Sequence, residues 1–109
     1  ISLTVKGEIP ENDSRIMRFI MSGARECLTN AVHHAKAENL EISVEKNGAY
    51  YIIEYKNDGV PPDKKVVEGG GLSYLRRKVE NAGGEMQISS APRFVLKLKI
   101  PEKEALFGD

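Results

Sequence analysis

Through ENDSRIMRFIMSGARECLTNAVHHAKA, apolar residues recur at intervals of three and four. Ile16, Ile20, Ala24, Cys27, Leu28, Ala31 and Ala35 therefore share one face of a long helix. Asn12, Asp13 or Ser14 can cap its start by offering an oxygen to the first unpaired amides. A helix with a single apolar stripe must be laid against something, and the rest of the chain supplies strands. Ile1, Leu3 and Val5 alternate with polar residues, the pattern of a half-buried strand, and Pro10 closes it. Leu40, Ile42 and Val44 alternate next, and after Asn47-Gly48 the period of two resumes with Tyr51, Ile53 and Tyr55, so a hairpin is expected.

Downstream, NDGVPPDKKVVEGGG breaks every periodicity and reads as a long loop, the kind that in compact domains is a lid or a disordered segment. Leu72, Leu75, Val79 and Ala82 then mark a short amphipathic helix ending at Gly83-Gly84. Met86 and Ile88 begin a strand, Ala91-Pro92 turn it, and Phe94, Leu96, Leu98 and Ile100 form its antiparallel neighbour, with a frayed tail from Glu102 to Asp109. Helices do not alternate strictly with strands. The order predicts an α+β fold: a two-layer α/β sandwich, with helices on one face of a mixed, mainly antiparallel sheet.

The 109 residues bound a single domain, and Cys27, the only cysteine, leaves no internal disulfide, which suits a reducing, cytoplasmic setting. Lysine plus arginine and aspartate plus glutamate balance at 16 each, which removes the general electrostatic case for nucleic acid or an anionic membrane as partner. No apolar run approaches the roughly 20 residues of a bilayer span. The chain starts at Ile1 and reads as a fragment of a longer protein, upstream of which a membrane anchor, a sensor or a catalytic partner can lie.

Three groups of residues could carry chemistry. Glu26 and Asn30, four apart, project from one helix face at the border of the apolar stripe. There a carboxylate can orient or deprotonate a water and an amide oxygen suits Mg²⁺, although a solvated polar pair has the same spacing. Gly69, Gly70 and Gly71 precede a helix whose first amides lack internal partners, which suits either a phosphate cradle or an ordinary hinge. Asn57, Asp58 and Gly59 form a tight turn that can present a polar side chain to a base or simply turn the chain. Arg76, Arg77 and Lys78 can assist with phosphates or serve as a solvated face, while His33 and His34 have no third ligand at zinc spacing. Cys27, inside the stripe, reads as inert core.

In this order the three groups resemble a known superfamily. RECLTNAVHHAKA is similar to the N box of the GHKL ATPases, NDGVPP stands where the G1 box stands, and GGGLSYLRRKVENAGGEMQI looks like the G2 box and the elements after it. Nearly the whole chain, from the first strand to Pro101, resembles the catalytic and ATP-binding domain of bacterial sensor histidine kinases, and residues 1–109 are taken as one such domain, at the cytoplasmic end of what can be a membrane-anchored sensor. The resemblance implies a Bergerat-type sandwich that holds ATP and Mg²⁺ between the N-box helix and an ATP lid, residues 60–70. It implies Asn30 on Mg²⁺ and phosphates, Glu26 as the candidate base, and His34 and Lys36 at the end of the N box. It further implies Gly69, Gly70 and Gly71 at the phosphates, with Leu72 packed beneath them. Asn57 falls where the family's G1 aspartate meets the adenine amino group, Asp58 one step late, Gly59 in frame, and Pro61 at the second glycine. From an asparagine at that place one expects weak ATP binding, with its carbonyl accepting from the amino group and its amide donating to the ring nitrogen, and with ATP preferred over GTP.

The implied function is transfer of the γ-phosphate of ATP to a histidine on a separate dimerisation domain upstream, with a response regulator as the indirect partner in two-component signalling. A nucleotide-poor module of the same fold that docks partners, and a GHKL serine kinase of the anti-sigma type, are the alternatives. No nucleic acid and no membrane contact by this segment are expected.

Overall fold

The computed structural model describes residues 1–31, 36–59, 70–90 and 92–102. Among the described residues five strands form one sheet: β1 (Ser2–Gly7), β2 (Asn39–Asn47), β3 (Tyr50–Asn57), β4 (Glu85–Ser89) and β5 (Val95–Pro101). Its spatial order is β1-β2-β3-β5-β4. Only β1 and β2 are parallel; the other pairs are antiparallel, so the sheet is mixed and mainly antiparallel as the patterning predicts. Helices α1 (Ser14–Asn30) and α2 (Gly70–Asn81) lie on one face of it. Among the described residues no helix is long and apolar enough to cross a membrane.

Among the three possible caps, Asp13 takes the role: its Oδ1 accepts from the backbone N–H groups of Arg15 and Ile16, both at 3.1 Å. Such a cap contributes about 1 kcal/mol. Ile16, Ile20, Ala24 and Cys27 of the stripe are buried against Leu40, Ile42, Val44, Ile53, Tyr55, Leu96, Leu98 and Ile100 of the sheet. The Tyr55 hydroxyl donates to the Ile20 carbonyl at 2.8 Å, which ties β3 to the middle of α1 and satisfies a polar atom inside the core. The described helix ends at Asn30 with Ala31 as its cap, and Ala35 lies outside the described residues.

The β2–β3 hairpin forms as expected, with Asn47 paired to Tyr50, so Gly48 and Ala49 make the two-residue turn and Asn47 is the last residue of its strand. Helix α2 stops in a Schellman arrangement. Gly84 N–H donates to Val79 O and Gly83 N–H to Glu80 O, and Gly83 sits at φ +83, a left-handed conformation that glycine adopts without penalty. Glu102, expected at the start of a frayed tail, is anchored by its N–H to Ala49 O and by its carboxylate to Lys46; residues 103–109 lie outside the described residues.

One expectation changes. β1 pairs Leu3 with Leu40 and Val5 with Ile42, which puts its apolar side on the helix face, yet Ile1, Leu3 and Val5 remain 56%, 51% and 48% exposed. The strand is at the sheet edge, while α1 packs over β2, β3 and β5, so its apolar row is turned the right way without being covered.

Candidate functional site

The expected site residues lie on three elements: the C-terminal half of α1, the start of α2 and the end of β3. Glu26 and Asn30 are both half-buried on α1, between core and solvent, as a border position requires. Gly71, in the first turn of α2, comes against Glu26 so closely that a Cβ there would overlap the carboxylate Oε1. This contact brings together two of the three residue groups singled out from the sequence. Next to Glu26, burial and that carboxylate's charge push the Cys27 thiol up, so it stays protonated and inert.

The end of β3 reaches the same end of the molecule. Ala37 N–H donates to Ala31 O, which returns the chain from α1 into β2, and β2 starts beside the NDG turn. Of that turn's two polar side chains, Asn57 faces inward and Asp58 outward. Asn57 continues the inward series Ile53, Tyr55 along β3 and is the one buried polar residue among those described. Its Oδ1 accepts from Gly59 N–H at 2.9 Å, while its Nδ2 is buried and has no hydrogen-bond partner among the described residues.

Asp58 uses its carboxylate locally. Oδ1 accepts from the backbone N–H groups of Glu38 and Asn39, each at 2.9 Å, and Oδ2 from Asn39 Nδ2 at 2.7 Å. These bonds, the Asn39 side-chain amide first, hold its carboxyl below the ordinary aspartate range. Asp58 therefore fixes the turn to the start of β2, and Asn57 is left as its inward-facing member.

Sequence reasoning overlooked Arg93. Its guanidinium donates to Gly59 O at 2.6 Å and to Asp58 O at 3.1 Å, clamping the turn from the β4–β5 connection. It comes after Pro92 in what reads as an ordinary turn, and no motif marks it.

Of the remaining expected residues, Leu72 is partly buried against the core, Gly70 opens α2, and Lys36 is exposed with φ +50 just after the N box. His34, Gly69 and most of the proposed lid, residues 60–69, lie outside the described residues. A cleft of roughly 750 Å³ also runs along the outer seam between α1 and α2, with Arg15, Arg18, Arg25 and Lys78 on its walls. Glu26, Gly71 and Lys78 of the residues singled out from the sequence line it, and Asn57 does not.

For a cation, Asn30 and Glu26 offer two oxygen donors at a half-buried rim. Among the described residues no three His, Cys, Asp or Glu side chains converge. That donor set fits a Mg²⁺ that keeps its waters and shares phosphate oxygens, the usual habit of this ion.

Comparison with known proteins agrees with this architecture. The histidine kinase domain of the blue-light activated histidine kinase from Erythrobacter litoralis EL346 superposes with a TM-score of 0.64 at 18% identity, over 92% of this chain and 51% of that one. Histidine kinase AdeS from Acinetobacter baumannii gives 0.65 at 17%, over 94% and 53%. The ATP binding domain of PrrB from Mycobacterium tuberculosis gives 0.64 at 18%, over 93% and 79%. The chain thus spans about half the length of the first two, and at these identities the likeness is one of fold. The family model described as histidine kinase-, DNA gyrase B- and HSP90-like ATPase matches residues 17–104, nearly the whole span from α1 to the end of β5, and the chain belongs to that family.

Proposed function

We propose that this domain binds ATP with Mg²⁺ and transfers the γ-phosphoryl group to a histidine on a separate dimerisation domain, in cytoplasmic two-component signalling. The observation that carries the reading is the contact between Glu26 and Gly71, which joins the carboxylate of the N box to the glycine run of the G2 box across two helices. In this reading Asn30 holds Mg²⁺ through its amide oxygen, and the first amides of α2, at Gly70 and Gly71, point at phosphate oxygens. Glu26, half-buried beside them, accepts a proton from the incoming imidazole or orients it. Asn57 meets the base from below, on a turn held by Arg93 and Asp58. Bound ATP supplies the phosphoryl group, and the chain's contribution is positioning and charge.

The test is incubation with γ-labelled ATP, Mg²⁺ and a histidine phosphoacceptor domain supplied in trans. Acid-labile label on the acceptor, with none on the chain, is expected. Acid-stable label on a serine partner would favour the anti-sigma type of kinase, and absence of both transfer and nucleotide binding would favour a docking module.

A further inference from the structure

The cleft along the α1–α2 seam sets four cations, Arg15, Arg18, Arg25 and Lys78, against a single carboxylate, Glu26. In a chain whose charges balance overall, that is a local positive surface. Arg15 is half-buried and donates to Pro101 O. Arg18, Arg25 and Lys78 are exposed and enter none of the ion pairs among the described residues. Between these charges the surface is apolar: Leu75 is buried and Phe19 half-buried, while Met21 and Tyr74 stand 58% and 56% exposed. Exposed large apolar side chains beside unneutralised cations suit a partner that is apolar and anionic at once.

Shape narrows the partner further. The lining residues run from Arg15 to Glu26 on α1 and from Gly71 to Ala82 on α2, about three turns of each helix, so the groove is about 16 Å long. Such a groove between two helices suits an amphipathic helix, which lays residues three, four and seven apart into it; a compact anion would meet only part of its charge. Glu26 is the last α1 residue to line the groove and Gly71 the first of α2, and because the two touch they mark the same end. In the proposed function Glu26 meets the incoming imidazole, so a helix lying in the groove brings one of its residues to that carboxylate. We propose that the groove docks the helix bearing the phosphoacceptor histidine and selects it by acidic residues on the histidine's own face, which pair with Arg25, Arg18 and Lys78. Beside Glu26 a carboxylate is repelled, so the acidic positions begin about one turn from the histidine. This recognition rests on the phosphoryl-transfer reading and adds the chemistry of the acceptor to it.

The probe is a helical peptide of about 18 residues that carries leucines and glutamates on one face at intervals of three and four, with glutamine in place of histidine, and its twin has lysine at every glutamate. Both are titrated into the wild-type chain and into Arg18→Glu/Arg25→Glu, and the acidic peptide is added to the transfer assay with the acceptor domain in trans. The acidic peptide should bind the wild type, about tenfold more weakly at about 300 mM salt than at about 50 mM, and at least about tenfold more weakly in the double variant. The lysine twin should bind the variant alone. In the transfer assay the acidic peptide should raise KM for the acceptor domain and leave KM for ATP unchanged. Equal binding of the two peptides by the wild type, or binding of neither, would overturn the proposal and leave nucleotide binding and transfer standing. Binding that leaves KM for the acceptor unchanged would overturn it too, by assigning the groove to another occupant such as a second copy of the chain. If the double variant does not fold, the peptide preference, salt dependence and competition of the wild type decide alone. Absence of transfer by the wild type would overturn both the docking and the function on which it rests.

Discussion

The Glu26 carboxylate lies against the Cα of Gly71, in the space a side chain at that position would fill. The contact locks α1 to the start of α2 and sets a negative charge beside the positive end of a helix, a favourable arrangement within the first turn. It also makes Gly71 a determinant of where Glu26 points.

Replacing Gly71 with alanine separates these roles. Alanine gains about 0.5–1 kcal/mol of helix propensity, and the group in its way is the far end of a flexible side chain, so the fold has room to adjust. Gly71→Ala is expected to move the melting temperature by no more than about 4–8 °C, equivalent to about 1 kcal/mol. Phosphoryl transfer should fall about tenfold because Glu26 is displaced. Unchanged transfer would show that the carboxylate's position does not matter.

Asp58 makes an acid-sensitive clamp. Its carboxyl titrates below the ordinary 3.8 because Asn39 and Glu38 donate to its charged form. The unfolded chain takes up that proton first as pH falls, so the clamp's contribution is complete above about pH 4 and is lost below it, through the folded value. The stability difference between wild type and Asp58→Asn, from denaturant melts, should stay level from about pH 7 to 5 and shrink on going to about pH 3. A difference independent of pH would assign the clamp's effect to shape alone.

Arg93 holds the same turn from the opposite side. Arg93→Ala should speed hydrogen exchange at the Gly59 amide, which depends on the turn for its bond to Asn57, and weaken nucleotide binding several-fold. Arg93→Lys keeps the charge but loses the planar fork that reaches two carbonyls, so it should restore little. Undisturbed exchange at Gly59 in Arg93→Ala would contradict the clamp.

The expectations that held are those carried by period. The stripe from Ile16 to Cys27 and the alternation around Asn47-Gly48 each encode an element and its buried face, because local geometry alone relates spacing to direction. Period could not say whether anything covers a face, and β1 is the case in point: Leu3 and Val5 point correctly but lie beyond the reach of α1. The candidate site divides in the same way. Glu26 and Asn30 were legible as a pair on one helix face, and Gly71 as a helix start, whereas the contact of Glu26 with Gly71 depends on tertiary packing between distant segments. In the NDG turn, sequence nominated both Asn57 and Asp58; the inward one is Asn57, which continues the Ile53, Tyr55 alternation, while the outward Asp58 pairs with Asn39. Arg93 acts through main-chain carbonyls, which any residue supplies, and so leaves no pattern to read.

On the proposed function, Asn30 and its neighbours form a magnesium-dependent nucleotide site. This is tested by isothermal titration of the chain with ATP, in Mg²⁺ and again with the metal chelated, for wild type and Asn30→Ala. Saturable one-to-one binding is expected, weakened at least tenfold on chelation and comparably in Asn30→Ala, with the variant's stability within about 1 kcal/mol of wild type. Binding indifferent to both Mg²⁺ and Asn30, or no binding at all, would contradict it.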